Sequence, residues 1–241
     1  MHELDNVIWK ALTTRQAGFA ESFGSARRFI PEVTLLAAFR EPSAEGYESL
    51  AGLLTPQATI ALFLEVPYEN RRGWDLVASV PLLQMDCDNG RGPLNTPAAS
   101  DPEIVDPEIM DPEIVQLTAA DSPEMVELAE LTKPGPFNKR THELGTYLGI
   151  RHGGKLVAMA GERLKVPGHT EVSAVCTHPE HTGRGYARVL MSEVMRRIRA
   201  RGETPFLHVR EDNVRAIELY KKLGFDRRLL AHLAVLRKRE P

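Results

Sequence analysis

The chain has 241 residues, 42% of them hydrophobic, and a formal net charge of -3. That is enough apolar material for one large or two small cores, and the slight acidic excess argues against nucleic acid as the main partner. Cys87 and Cys176 are the only cysteines, so neither a disulfide framework nor a zinc constellation can be drawn and a reducing, cytoplasmic setting is expected; no secretory leader and no membrane-length apolar run is seen.

In chain order, helical pieces are predicted around residues 7–11 and 47–54, and strands over 59–64 and 76–80. The pairs Arg27-Arg28 and Arg71-Arg72 read as solvated. Residues 1–87 are therefore expected to form a smaller N-terminal α/β domain. Between 88 and 112 the composition changes to Gly, Pro and acid, with Asp-Pro-Glu-Ile plus a hydrophobic residue starting at Asp101, Asp106 and Asp111. Prolines every fifth residue forbid a regular helix, so this stretch is expected to be an interdomain linker. Its last copy leads into a strand at 113–117 that opens a second domain, 113–241.

Asp121-Ser122-Pro123 predicts a capped helix start, continued by Met125, Leu128 and Leu131. A loop follows at 132–137, then a strand at 145–150 joined through Gly153-Gly154 to another at 156–160. The β-branched and small residues of 171–177, bounded by Pro167-Gly168 and His178-Pro179, predict a buried strand. Ala187, Leu190, Met191, Val194, Met195 and Ile198 then recur at helical spacing, with Arg188, Ser192, Arg196 and Arg199 on the other face and Gly202 as the stop. A strand at 205–209 and a helix through Val214, Ile217, Leu219 and Tyr220 complete the order strand, glycine turn, helix, strand, helix. A final strand at 233–236 is expected to be exposed and to offer an edge for a homodimer.

The turn Thr182-Gly183-Arg184-Gly185-Tyr186-Ala187 carries the most information. Two glycines let backbone approach an anion, and the helix that follows turns its unpaired N–H groups and positive dipole end to the same point. Gly185 is followed by Tyr186 rather than by a Lys-Ser or Lys-Thr pair, and the third glycine of a dinucleotide site is missing. A pyrophosphate held by backbone, without lysine and magnesium, is what remains.

Residues 175–187, Val-Cys-Thr-His-Pro-Glu-His-Thr-Gly-Arg-Gly-Tyr-Ala, followed by 213–225, Asn-Val-Arg-Ala-Ile-Glu-Leu-Tyr-Lys-Lys-Leu-Gly-Phe, resemble the acyl-CoA site of the GNAT acyltransferase superfamily. The resemblance is firm over 143–238 and absent as a motif before residue 101. It departs at Thr182, where the family often has Gln or Arg. It implies a GNAT-like α/β (α+β) fold, a mixed, mostly antiparallel sheet flanked by helices, and a reaction that moves an acetyl or other short acyl group from acyl-CoA to a primary amine without metal. It implies that the backbone of Val175, Cys176 and Thr177 pairs with pantetheine, and that Gly183, Arg184, Gly185, Tyr186, Ala187 and Arg188 hold the pyrophosphate. It further implies that Asn213 contacts the cofactor, that Tyr220 protonates the departing sulfur, and that the loop at 134–137 with Glu143 borders the acceptor. The N-terminal segment then reads either as a plain α/β domain or as a second acyltransferase-like fold whose cofactor site has decayed.

Asn213 and Tyr220, two helical turns apart, share a helix face. Two general bases stay open, Glu171 at a strand start and His208 on the next strand. Strict alternation puts Glu171 with Ser173, Val175 and Thr177, and puts Cys176 with Val172 and Ala174 on the opposite face. Cys176 there reads as a buried thiol rather than a nucleophile. Direct transfer in a ternary complex with a small-molecule or peptide amine is expected; the rival readings are a non-catalytic acyl-CoA-binding module and a nucleotide-binding domain.

Overall fold

The computed structural model describes residues 2–87 and 112–240, so the expected linker lies outside the described residues except at Pro112. Val7–Thr13 forms α1, with Val7, Ile8, Ala11 and Leu12 buried along one face. Three short strands, β1 (Ala20–Phe23), β2 (Ala26–Phe29) and β3 (Ala37–Phe39), make a small antiparallel sheet. α2 (Ala44–Gly52) begins at Ser43, whose hydroxyl accepts from the Gly46 N–H at 3.1 Å. β4 (Thr59–Leu64) and β5 (Trp74–Asp86) then enter a second, larger sheet.

After the undescribed stretch come β6 (Ile114–Leu117), α3 (Ser122–Thr132), β7 (Tyr147–His152), β8 (Lys155–Val166) and β9 (His169–Thr177). The chain ends with α4 (Tyr186–Ala200), β10 (Thr204–Arg210), α5 (Val214–Lys222) and β11 (Asp226–Lys238). The large sheet runs β4-β11-β5-β10-β9-β8-β7-β6, and every neighbouring pair is antiparallel except β9–β10. This is the mixed, mostly antiparallel architecture expected. Leu190, Met191, Val194, Met195 and Ile198 of α4 are buried with Ile217 and Tyr220 of α5 in one core cluster, while α3 and α1 supply clusters of their own. At about 1.5–3 kcal/mol for each large apolar side chain removed from water, the buried face of α4 alone is worth on the order of 10 kcal/mol.

Two features of the topology depart from the linear reading. β5, which precedes the expected linker, is inserted between β10 and β11, which follow it, so the two segments share one sheet rather than holding separate ones. β11 consequently has no free edge, because it pairs with β4 on one side and β5 on the other; the exposed final strand expected as a dimer edge is interior. The edge strands of this sheet are β4 and β6. Periodicity describes one strand's faces and is silent on which strands flank it.

β9 carries a third departure. Met159 to Gly161 on β8 faces Cys176 to Ser173 on β9, so two residues oppose one, and Ala174 stands at φ +53°. That is a β-bulge, which shifts the alternation by one residue. Val172 and Val175 therefore face the cluster under α4, whereas Ala174 and Cys176 face the cluster under α3. The expected grouping is corrected on both faces: of Val172 and Ala174 only Ala174 shares the face of Cys176, and Val175, expected beside Glu171, lies with Val172 instead.

Candidate active site

β9 and β10 run parallel for three rungs, His169–Thr204, Thr170–Pro205 and Glu171–Phe206, and then part. β10 continues against β5 through Arg210, and β9 continues against β8 through Thr177. The fork leaves one edge of β9 with unspent backbone donors and acceptors, and it lies along Val175, Cys176 and Thr177. A 3-10 turn over Pro179–His181 carries the chain from β9 to the glycine turn.

At the turn, Gly183 and Gly185 stand at φ +81° and +75°, and Gly185 is the residue that caps α4. Left-handed backbone costs a residue with a Cβ roughly 1–2 kcal/mol, which accounts for glycine at both places. A Cβ built on either would meet nothing within 4 Å, so the turn faces open space. Among the described residues, no acceptor takes a hydrogen bond from the N–H groups of 183–188; the first such bond is Val189 to the Gly185 carbonyl at 3.1 Å. Six unpaired donors at the positive end of a fifteen-residue helix suit a diphosphate. Arg184 and Arg188 are exposed beside them.

Asn213 is exposed and caps α5, its Oδ1 accepting from the Ala216 N–H at 3.2 Å. Two turns on, Tyr220 is buried in the core that α4 and α5 share, 6.2 Å from the Phe225 ring. Burial pushes its phenol up to about 12, so it stays protonated at neutral pH. Cys176 is buried too, and burial pushes its thiol up to about 11, which leaves almost no thiolate.

The two candidate bases turn out to be partners. Glu171, fully buried, accepts from Arg163 Nε and Nη2 at 2.8 and 2.7 Å and from the Leu164 N–H at 3.2 Å. Its Oε1 also lies 2.7 Å from His208 Nδ1. Burial alone would raise its pKa, but the Arg163 guanidinium and His208 outweigh it and hold the carboxyl at about 2. With Nδ1 donating to Glu171, His208 Nε2 accepts from the Gln84 amide at 3.1 Å, and that amide also donates to the Leu4 carbonyl at 3.2 Å. The imidazole is enclosed by Phe63 at 4.5 Å and Phe206 at 5.8 Å. Neither group presents a free lone pair to the fork.

Sequence reading missed Arg163 and Gln84. Gln84 is a lone polar side chain in the apolar run Leu82-Leu83-Gln84-Met85, and that mismatch was the available signal; Arg163 stands between Glu162 and Leu164 near Lys165, where the charges around it read as a solvated strand end. Glu143 of the expected acceptor border is tied to Arg140 by two bonds of 2.7 and 2.8 Å at the surface.

Residues 147–233 match the family described as FR47-like protein. Over 125 residues the chain is 38% identical to the N-alpha-acetyltransferase RimI of Mycobacterium tuberculosis, a stretch covering 46% of this chain and 76% of that relative. A solved structure from Novosphingobium aromaticivorans, described as an acetyltransferase of the GNAT family, aligns over 100% of both chains at 37% identity with a TM-score of 0.86. This chain belongs to the GNAT family. As a GNAT enzyme it is an N-acyltransferase, and its acyl donor is a coenzyme A thioester. A GCN5-related N-acetyltransferase from Kribbella flavida shares the GNAT fold at 16% identity, with a TM-score of 0.58 over 98% of this chain and 96% of that one. The likeness to the first of these structures includes the first 87 residues, where no family motif is legible. No helix among the described residues is long and apolar enough to cross a membrane.

Proposed function

We propose that the chain acetylates a primary α-amine from acetyl-CoA by direct transfer in a ternary complex, in the cytoplasm. The supporting observation is the run of unpaired N–H groups over 183–188 that continues the free edge of β9. In this reading residues 183–188 grip the diphosphate, and the backbone of Val175, Cys176 and Thr177 takes the pantetheine as an added strand. One of the same N–H groups stabilises the oxyanion that forms when the amine nitrogen attacks the thioester carbon. Asn213 keeps its side-chain nitrogen for the cofactor while its oxygen caps α5. Tyr220 gives its proton to the thiolate as the carbon–sulfur bond breaks; the attacking nitrogen releases its second proton to water as the amide forms, and water returns one to Tyr220.

The acceptor sheds its extra proton to water, because Glu171 and His208 are occupied with each other. We assign both to positioning the fork. The choice of an α-amine follows the relative named as an N-alpha-acetyltransferase. The closing test pairs calorimetry of coenzyme A with thiol release from acetyl-CoA in the presence of an amine panel. An enzyme gives both signals; binding without thiol release for any amine would reduce the chain to an acyl-CoA-binding module.

A further inference from the structure

The loop after α3 stands at the fork on the face opposite α4. Phe137 packs in the cluster under α3 and meets the Tyr147 ring edge-on at 5.5 Å. A Cβ added to Gly135 would stand 3.9 Å from Arg163 Nη1, and Arg163 holds Glu171, the last rung before β9 and β10 part. The glycine turn belongs to α4, which packs on the other face. In a ternary complex the cofactor comes along β9 from that turn, so the side left for the amine is the one that residues 134–137 border.

That loop has little to hold it from within. Pro134 and Pro136 carry no N–H, and neither the Gly135 nor the Phe137 N–H donates a hydrogen bond to any described residue. Its fastening comes from the N-terminal segment. Three successive carbonyls there receive donors from residues 138–141: Pro31 accepts from Asn138 Nδ2 at 2.7 Å, Glu32 from the Arg140 N–H at 3.1 Å, and Val33 from Thr141 Oγ1 at 2.5 Å. Thr141 is fully buried, and its hydroxyl also accepts from the Asn138 N–H at 2.7 Å, so both of that hydroxyl's bonds fix where the loop ends. The carbonyls are themselves held in place: Val33 is buried in the cluster that α1 supplies, and its N–H donates to the Ile30 carbonyl at 2.9 Å. Within the C-terminal part, the Ser122 hydroxyl adds a bond to the Lys139 carbonyl at 2.5 Å.

We propose that Asn138 and Thr141 are positioning residues for the acceptor: by clipping the loop to residues 31–33, they make the N-terminal segment a determinant of how tightly the amine binds. This rests on the N-acyltransferase reading above and adds to it the element that carries acceptor affinity. The segment acts through three backbone carbonyls, which any residue supplies, so no motif marks it. Releasing the clip lets the loop shift against the fork, and small displacements of a wall that orients a reactant are costly. The donors over 183–188 lie on the other face and keep their arrangement.

The test measures the KM for trialanine amide by thiol release from the full chain at saturating acetyl-CoA, beside the Kd of coenzyme A by calorimetry. Asn138→Ala removes the bond to the Pro31 carbonyl and is expected to raise the amine KM about threefold. Adding Thr141→Val strips the Val33 carbonyl and the Asn138 N–H of their partner as well, and is expected to raise it roughly tenfold. The coenzyme A Kd is expected to stay within about twofold in both, a split that a general loss of stability does not give. Thr141→Ser keeps the hydroxyl and is expected to hold the amine KM within about twofold of the unaltered chain. An unchanged amine KM in the folded double variant would overturn the inference, as would a coenzyme A Kd that rises by the same factor. Should the double variant fail to fold, Asn138→Ala, whose bond lies at the surface, decides alone by the same two criteria. No thiol release by the unaltered chain with trialanine amide or any other amine would overturn acyl transfer itself.

Discussion

Tyr220 and Cys176 are both pushed upward by burial, to about 12 and about 11, and in the proposed reaction the same shift suits one to act as an acid and the other to stay inert. A phenol that holds its proton can give it to a thiolate; a thiol that holds its proton cannot attack a thioester. Tyr220→Phe is expected to lower kcat by about 100-fold, within the range for a lost general acid, with coenzyme A binding by calorimetry unchanged. Cys176→Ala is expected to keep kcat within about threefold, since a small apolar side chain replaces a small buried one. Glu171 works in the other direction. Its carboxyl sits at about 2 in the fold, against about 4.3 for an unperturbed glutamate, so its contribution is complete above the unfolded value and is lost as pH falls through the folded one. Glu171→Gln leaves Arg163 buried without its counter-charge. It is expected to destabilise the chain by about 3–5 kcal/mol at neutral pH and to flatten the stability profile between about pH 4.5 and 2, read by denaturant unfolding across that range.

The glycine turn and the helix after it were legible in the residues, because the requirements are local. Gly183 and Gly185 adopt backbone angles that side chains resist, and the apolar stripe of α4 repeats at the helical period. Gly185→Val is therefore expected to raise the KM for acetyl-CoA by at least tenfold while circular dichroism stays unchanged, since a β-branched residue at φ +75° strains only the cap and its Cβ enters the open space proposed for the diphosphate. β9 shows where local reading stops. Alternation assigned its faces correctly up to Val172, and the bulge at Ala174 then moved Cys176 to the side opposite Val172. Nothing in Ala174 announces a left-handed residue; the register between β8 and β9 shifts by one at this bulge and shifts back between Glu162 and Lys165, so it is set by the pairing of two strands and not by either one alone.

Across the whole molecule, β5 holds the C-terminal half together. Its last five residues pair with β10 and its full length pairs with β11, so β10 and β11 meet only through it. Gln84 of the same strand ties His208 to the Leu4 carbonyl, which links the fork to the start of the chain. A chain beginning at Pro112 is expected to lose cooperative thermal unfolding and acetyl-CoA turnover together; a sharp melting transition with full activity in that truncation would remove this role. The pentapeptide repeat marks a change of composition at the boundary, yet the hydrogen-bonded ladder crosses it. By itself the amino-acid sequence determined the glycine turn, the apolar stripe of α4 and the Asn213 cap of α5, because those depend on spacing along a few turns of backbone; the Asp121 cap expected for α3 does not form, since that carboxylate is drawn to Thr118 and Arg151. Only the tertiary structure decided that Glu171 and His208 neutralise each other's use as bases and that an N-terminal strand lies between two C-terminal ones. Those outcomes follow from contacts between residues as far apart in the chain as Trp74 and Lys238, and no local pattern encodes which distant group will arrive to satisfy a buried charge.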